Sequence, residues 1–196
     1  MLSVYNYVAS TQVLGPYKRF ALWTQGCDFA CQHCMTPDAQ SHNDGMNVQI
    51  NTFVKVILEQ EEIEGITITG GEPFLQSRAL TRLLIQLKTK RDLGVIIYTG
   101  FTLEQLRTKK SADINALLAH VDILIDGLYV DALNDGISLR GSSNQQVHQF
   151  TDRYRECFDQ YYNKKSREIE VHLETDEMML VGVPKKRFLD EFNNLS

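Results

Sequence analysis

Cys27, Cys31 and Cys34, spaced C-x-x-x-C-x-x-C, and Gly70-Gly71-Glu72-Pro73 further along are the residues of this chain best suited to chemistry. Three thiolates satisfy three irons of a cubane [4Fe–4S] cluster, which ordinarily takes four protein ligands, so one iron stays open to a ligand that is not protein. Structural zinc is the competing use of the same cysteines, with His33 as a fourth ligand. His33 directly precedes Cys34, however, and neighbouring side chains in a loop rarely reach one tetrahedral centre together. A disulfide framework suits neither the length of the chain nor its start, which shows no secretory leader. The fourth cysteine, Cys157, is far from the trio in a helix-like stretch and reads as a buried or idle thiol.

The elements that must position these residues can be read from periodicity. A strand is expected around Val4 to Val8, and Arg19 to Thr24 reads as a strand feeding directly into the cysteine loop, where Gly26 gives the backbone freedom to turn. Ser41 to Asn51, rich in Asn, Asp and Gly, reads as a loop, and Phe53, Val54, Ile57 and Leu58 then recur at helical spacing. The alternation repeats. Gly65 to Thr69 is a strand ending at the double glycine, Leu80, Leu83, Leu84 and Leu87 form a helical stripe, and Gly94 to Thr99 is a further strand. Thr102 with Gln105 makes a capping box, and Val121 to Ile125 is a strand meeting Asp126-Gly127. Beyond it a helix is expected over Thr151 to Tyr162, then a hairpin of Glu168 to Leu173 and Glu177 to Val183 turned at Thr175-Asp176, with Pro184 opening a final helix.

Strands alternating with helices at this spacing predict an α/β fold of right-handed βαβ units. A complete eight-unit barrel typically needs about 250 residues, so the expectation is a partial, open βα barrel of about five or six mainly parallel strands. Residues 1–150 form that core and 151–196 a hairpin-and-helix extension packed on the same domain. The cysteines, the double glycine, Thr99-Gly100 and Asp126-Gly127 all fall at strand ends, where working residues of such folds gather.

A chain of 196 residues with 43% hydrophobic content suits an ordinary globular protein with a sizeable core. A net charge of −5 argues against affinity for bulk nucleic acid, and no window approaches the ~18 apolar residues of a membrane span. The basic clusters Lys109-Lys110, Lys164-Lys165 and Lys185-Lys186-Arg187 read as solvated helix ends or loops. The expected location is the cytoplasm.

The cysteine triad after a strand, followed by Thr69-Gly70-Gly71-Glu72-Pro73 after the next strand, resembles the radical S-adenosylmethionine superfamily. Three further stretches resemble its glycyl-radical activase branch, typified by activators of anaerobic ribonucleotide reductase: Gly15 to Phe20, Asp126 to Tyr129, and Leu139 to Gln145. The resemblance covers residues 15–146. It implies that Cys27, Cys31 and Cys34 ligate the cluster and that S-adenosylmethionine chelates the open iron. Cleavage of that molecule would yield a 5′-deoxyadenosyl radical, which takes a hydrogen atom from a glycine Cα of a large partner enzyme. A low-potential donor such as flavodoxin or ferredoxin would supply the electron.

The resemblance also implies roles for single residues. Gly70 and Gly71 let the backbone approach the methionine moiety, and a carbonyl or the Glu72 carboxylate accepts from its ammonium. His33 and Met35 line the adenosyl part, although many relatives carry an aromatic or apolar residue where His33 stands. Asp126 is a candidate acceptor for ribose hydroxyls, or the cap of a turn. Arg140 is a candidate for the cofactor carboxylate or for partner docking, against a structural salt bridge. Asp152 to Ser196 matches nothing in the branch, and Gln145-Gln146 lacks the arginine that commonly follows there. Two other functions remain open on this reading: the same chemistry on a peptide or small nucleotide-like substrate, and a non-catalytic iron–sulfur or zinc protein.

Overall fold

The structure, a computed structural model, describes residues 1–163, 167–173 and 178–185. Strands β1 (Leu2–Thr11) and β2 (Arg19–Thr24) lead into the cysteine loop, followed by β3 (Met46–Val48) and helix α1 (Ile50–Leu58). Next come β4 (Gly65–Gly70), α2 (Ser77–Lys88), β5 (Gly94–Tyr98), α3 (Leu103–Thr108), α4 (Ala112–Leu118) and β6 (Ile123–Asp126). The chain continues through β7 (Gln146–Gln149), the short α5 (Phe158–Tyr162) and a hairpin of β8 (Ile169–Leu173) and β9 (Met178–Gly182).

The first seven strands form one sheet in the order β3-β1-β2-β4-β5-β6-β7, and β8 pairs with β9 alone. Its centre is the expected parallel array, with β2 beside β4, β4 beside β5 and β5 beside β6. The flanks are antiparallel, because β1 reaches β2 through a connection too short for a crossover and β7 returns beside β6 with no crossover helix. The sheet therefore has seven strands rather than five or six, is mixed, and is not closed, with β3 and β7 as its edges.

One face of the sheet carries the main core. Leu22, Ile66, Ile68, Val95, Ile97 and Leu124 pack against Phe53, Val54 and Ile57 of α1, the leucine stripe of α2, and Ile114 and Leu117 of α4. Full burial of each such side chain contributes about 1.5–3 kcal/mol. The capping box at Thr102 and Gln105 starts α3 as expected. The opposite face holds two smaller clusters. Val8, Ala21 and Trp23 pack with Val181 and Val183 of the hairpin, and Ile96, Ile123 and Ile125 with Tyr154 and Tyr162.

The helix expected over Thr151 to Tyr162 is confined to α5, since Asp152 to Cys157 turns tightly and places Tyr154 under the sheet. The turn at Thr175-Asp176 and the helix after Pro184 lie outside the described residues. Among the described residues, no helix is long and apolar enough to cross a membrane.

Candidate functional site

The cysteine loop leaves β2 and is closed on itself by main-chain bonds. Gly26 N–H donates to Ala39 O at 2.8 Å and Cys27 N–H to Gln40 O at 3.0 Å. Inside the loop, Cys34 N–H donates to Cys31 O at 3.3 Å, and His33 takes a left-handed φ of 56° to make that turn. The end of β4 is laced to the same loop: Gly71 N–H donates to Thr24 O at 2.7 Å and Glu72 N–H to Gly26 O at 2.8 Å.

This lacing explains the double glycine. A Cβ on Gly71 would stand 2.3 Å from Gly26 O, and one on Gly70, whose φ is 105°, would stand 2.5 Å from Thr24 N. Both obstacles are backbone, so any larger residue would push the cysteine loop away from β4.

Glu72 holds the next strand end in place. It is 1% exposed, and its carboxylate accepts from Phe74 N–H at 2.9 Å, Thr99 Oγ1 at 2.8 Å and Gly100 N–H at 2.8 Å. Burial pushes its carboxyl up to about 7, against the pull of these donors. With three donors already satisfied, the carboxylate ties β4 to β5 more than it offers itself to a ligand.

Cys27, Cys31, Cys34, Met35, Gly70, Gly71 and Glu72 line one cavity, together with Thr99, Gly100, Gly127, Tyr129, Gly141 and Gln145. Burial pushes the Cys27 thiol up to about 11, with Glu72 and the other two cysteines adding to the effect, and it raises Cys31 as well. Burial thus opposes loss of the proton at both positions, and iron must displace those protons on binding.

Three of the residues singled out in the sequence are not brought to this cavity. His33 is exposed, outside the lining. Asp126 is buried, but its Oδ2 accepts from Leu103 N–H at 2.5 Å and lies 2.9 Å from His148 Nε2, so it caps α3. Arg140 pairs with Asp135 at 3.0 Å, the structural salt bridge of the two readings.

Gln145 was missed as a site residue. Its Oε1 accepts from Gly141 N–H at 2.7 Å and Ser142 N–H at 3.2 Å, while its Nε2 donates to Gly127 O at 2.7 Å. Residues 141–145 are thereby folded back onto Gly127, just past the end of β6, and the polar run Ser142-Ser143-Asn144-Gln145 was the available signal. Arg167 fastens the same segment and the residues before it, donating to the carbonyls of Arg140 and Gly141, to Ser138 O at 2.9 Å and to Asn134 Oδ1 at 2.7 Å.

The donor set suits an iron–sulfur cluster. Among the described residues, no three His, Cys, Asp or Glu side chains gather closely enough to hold a single metal ion, as zinc at about 2.3 Å from each sulfur would require. A cubane assigns each thiolate its own iron, so three cysteines that line one cavity without converging on a point are compatible with it.

The family description 4Fe-4S single cluster domain matches residues 13–148. The chain belongs to this family. Within it the resemblance to the activase branch of the radical S-adenosylmethionine superfamily holds. An anaerobic ribonucleoside-triphosphate reductase-activating protein of Vibrio cholerae is 28% identical, over 76% of this chain and 99% of its own length. A protein of the same name from Enterobacteria phage T4 is 29% identical, over 71% of this chain and 89% of its own length. A pyruvate formate-lyase-activating enzyme of Staphylococcus epidermidis is 31% identical over 69% of this chain, but only 56% of that enzyme is covered.

Proposed function

We propose that this radical S-adenosylmethionine enzyme binds its [4Fe–4S] cluster through Cys27, Cys31 and Cys34 and installs a glycyl radical in an anaerobic ribonucleotide reductase. The observation that carries the reading is the lacing of the cysteine loop to Gly70-Gly71-Glu72, which places three thiols and a side-chain-free strand end on one cavity. When bound, the reduced cluster supplies the electron that cleaves S-adenosylmethionine to the 5′-deoxyadenosyl radical that takes hydrogen from a partner glycine.

The chain's own residues bind, orient and enclose. Gly70 and Gly71 present bare backbone to the methionine part of S-adenosylmethionine. Glu72 fixes the ends of β4 and β5 at the distance this requires, and Met35 lends a soft apolar contact. Gln145 holds Gly127 and Gly141 together across the cavity mouth and limits the entry of water.

A reductase is favoured over pyruvate formate-lyase as partner because the reductase activators are matched over nearly their whole length. Flavodoxin or ferredoxin is the electron donor in this proposal. The test is anaerobic reconstitution with dithionite and S-adenosylmethionine, following 5′-deoxyadenosine. Release by the wild type and none by Cys31→Ala supports the reading; no release from cluster-loaded wild type in the presence of the reductase contradicts it.

A further inference from the structure

Arg167 lies beyond residues 13–148, the stretch matched by the family description, yet its side chain reaches back into that stretch. The side chain is 1% exposed, and its guanidinium is met mainly by backbone oxygens. It donates to the carbonyls of Ile137 at 3.2 Å, Ser138 at 2.9 Å, Arg140, and Gly141 at 3.4 Å, and to Asn134 Oδ1 at 2.7 Å. Asp135 Oδ1 stands farther off at 3.7 Å, and the other oxygen of that carboxylate is engaged by Arg140 at 3.0 Å. A planar fork of five N–H groups can serve acceptors spread along a chain in this way, which a compact ammonium cannot.

The consequence reaches the cavity through one peptide unit. The unit joining Arg140 to Gly141 turns its carbonyl to Arg167 and its N–H to Gln145 Oε1, the latter at 2.7 Å. A peptide unit is planar, so holding the carbonyl fixes the direction of the N–H. Gln145 in turn donates from Nε2 to Gly127 O at 2.7 Å. Gly127, Gly141 and Gln145 all line the cavity of the three cysteines. The gripped segment is also under strain: Ser138, 2% exposed, takes a left-handed φ of 63°. A residue with a Cβ keeps that conformation only where its surroundings hold it.

We propose that Arg167 is a positioning residue for S-adenosylmethionine, setting the cavity wall through the Arg140–Gly141 peptide and Gln145. The inference rests on the reading of this cavity as the S-adenosylmethionine site. Arg167 is outside the cavity lining, so it acts on the cofactor through the wall and not by contact. A wall fixed before binding leaves less to be ordered when the ligand arrives, and its loosening is therefore read in affinity.

The test uses the full-length protein loaded with its cluster. Two quantities are read separately: iron and sulfide content, and the Kd for S-adenosylmethionine by calorimetric titration. For Arg167→Lys, which keeps the charge and loses the fork, content is expected to stay at the wild-type level while the Kd rises about tenfold or more. For Arg167→Ala, millimolar guanidinium chloride is expected to restore affinity, and potassium chloride at the same concentration is not. Guanidinium weakens folded structure in general, so a residue that only supports the fold would not be rescued by it. Should Arg167→Ala fail to fold, the Arg167→Lys result decides alone. A wild-type Kd in Arg167→Lys, loss of iron and sulfide together with binding, or no recovery of folded Arg167→Ala in guanidinium would overturn the positioning role and leave the reading of the site standing. Cluster-loaded wild-type protein that binds no S-adenosylmethionine would overturn the reading of the site and the positioning role with it.

Discussion

The two ends of the parallel strands are built on opposite plans. At the start of β2, Arg19 is 0% exposed and fully satisfied: it donates to Thr67 Oγ1, Glu64, the Tyr154 hydroxyl and the carbonyls of Pro16, Ile66 and Gly94. At the far end of the same strand, the cysteines are only half-buried, and burial raises the Cys27 and Cys31 thiols above their ordinary range. The first end is complete without any ligand. The second is rigid in its backbone and open in its side chains, which is how a site for an inorganic cluster and a small molecule must be arranged.

Removing a thiol should separate the two ends most sharply. Cys31→Ala is expected to abolish retention of a complete cluster and reduce 5′-deoxyadenosine release to background, while urea unfolding of the metal-free protein stays within about 1 kcal/mol of wild type. Iron and sulfide content with a denaturant titration reads both. The converse is Arg19→Ala, which leaves Glu64 without its buried partner and several carbonyls unsatisfied. A loss of about 3–5 kcal/mol is expected, measured by denaturant unfolding of the metal-free protein.

Gly71→Ala tests the seam between the motifs. With its Cβ 2.3 Å from Gly26 O, the loop must shift, so stability should fall by about 1–3 kcal/mol and affinity for S-adenosylmethionine should fall with it. Calorimetric titration of the cluster-loaded protein checks the second effect.

Glu72→Gln places an amide where the carboxylate accepts from Gly100 N–H, and about 1–3 kcal/mol is the expected cost at low pH. The pH dependence has a definite sign. A carboxyl raised from 4.5 to about 7 binds a proton in the native state that the unfolded chain has already released over that window. Wild-type metal-free protein should therefore lose stability as pH rises through the window, and the Gln variant should lose less, so that their difference narrows. The smallest effect is expected for Arg140→Ala. Its pair with Asp135 is partly exposed, so unfolding should change by no more than about 1 kcal/mol, and S-adenosylmethionine affinity should not change.

The legible parts of the sequence were those governed by period or by a motif of fixed spacing. Strand Arg19 to Thr24 and the leucine stripe of α2 stand where the periodicity puts them, because each buries one continuous apolar set. The β7 strand, Gln146-Val147-His148-Gln149, was not legible: it is an edge strand whose polar composition resembles a loop, held by pairing with β6. Tyr154 was hidden for a related reason, since only the tertiary fold shows that it lies under Arg19. At the site, the cysteine triad and the double glycine could be read as neighbours because both follow strand ends, and the structure lines one cavity with them. Asp126 and Arg140 were left with two readings each, because Leu103, His148 and Asp135, with which the structure pairs them, are partners that no spacing announces.

The most direct measurement is electron paramagnetic resonance of the anaerobic ribonucleotide reductase after incubation with the reduced, cluster-loaded protein and S-adenosylmethionine, using reductase grown on ordinary or α-deuterated glycine. The account predicts a radical on the reductase whose doublet, split by the remaining α-hydrogen, collapses to a narrow line on deuteration, with 5′-deoxyadenosine formed at one molecule or more per radical. An unchanged spectrum on deuteration, or 5′-deoxyadenosine accumulating with no radical on the reductase, would contradict it.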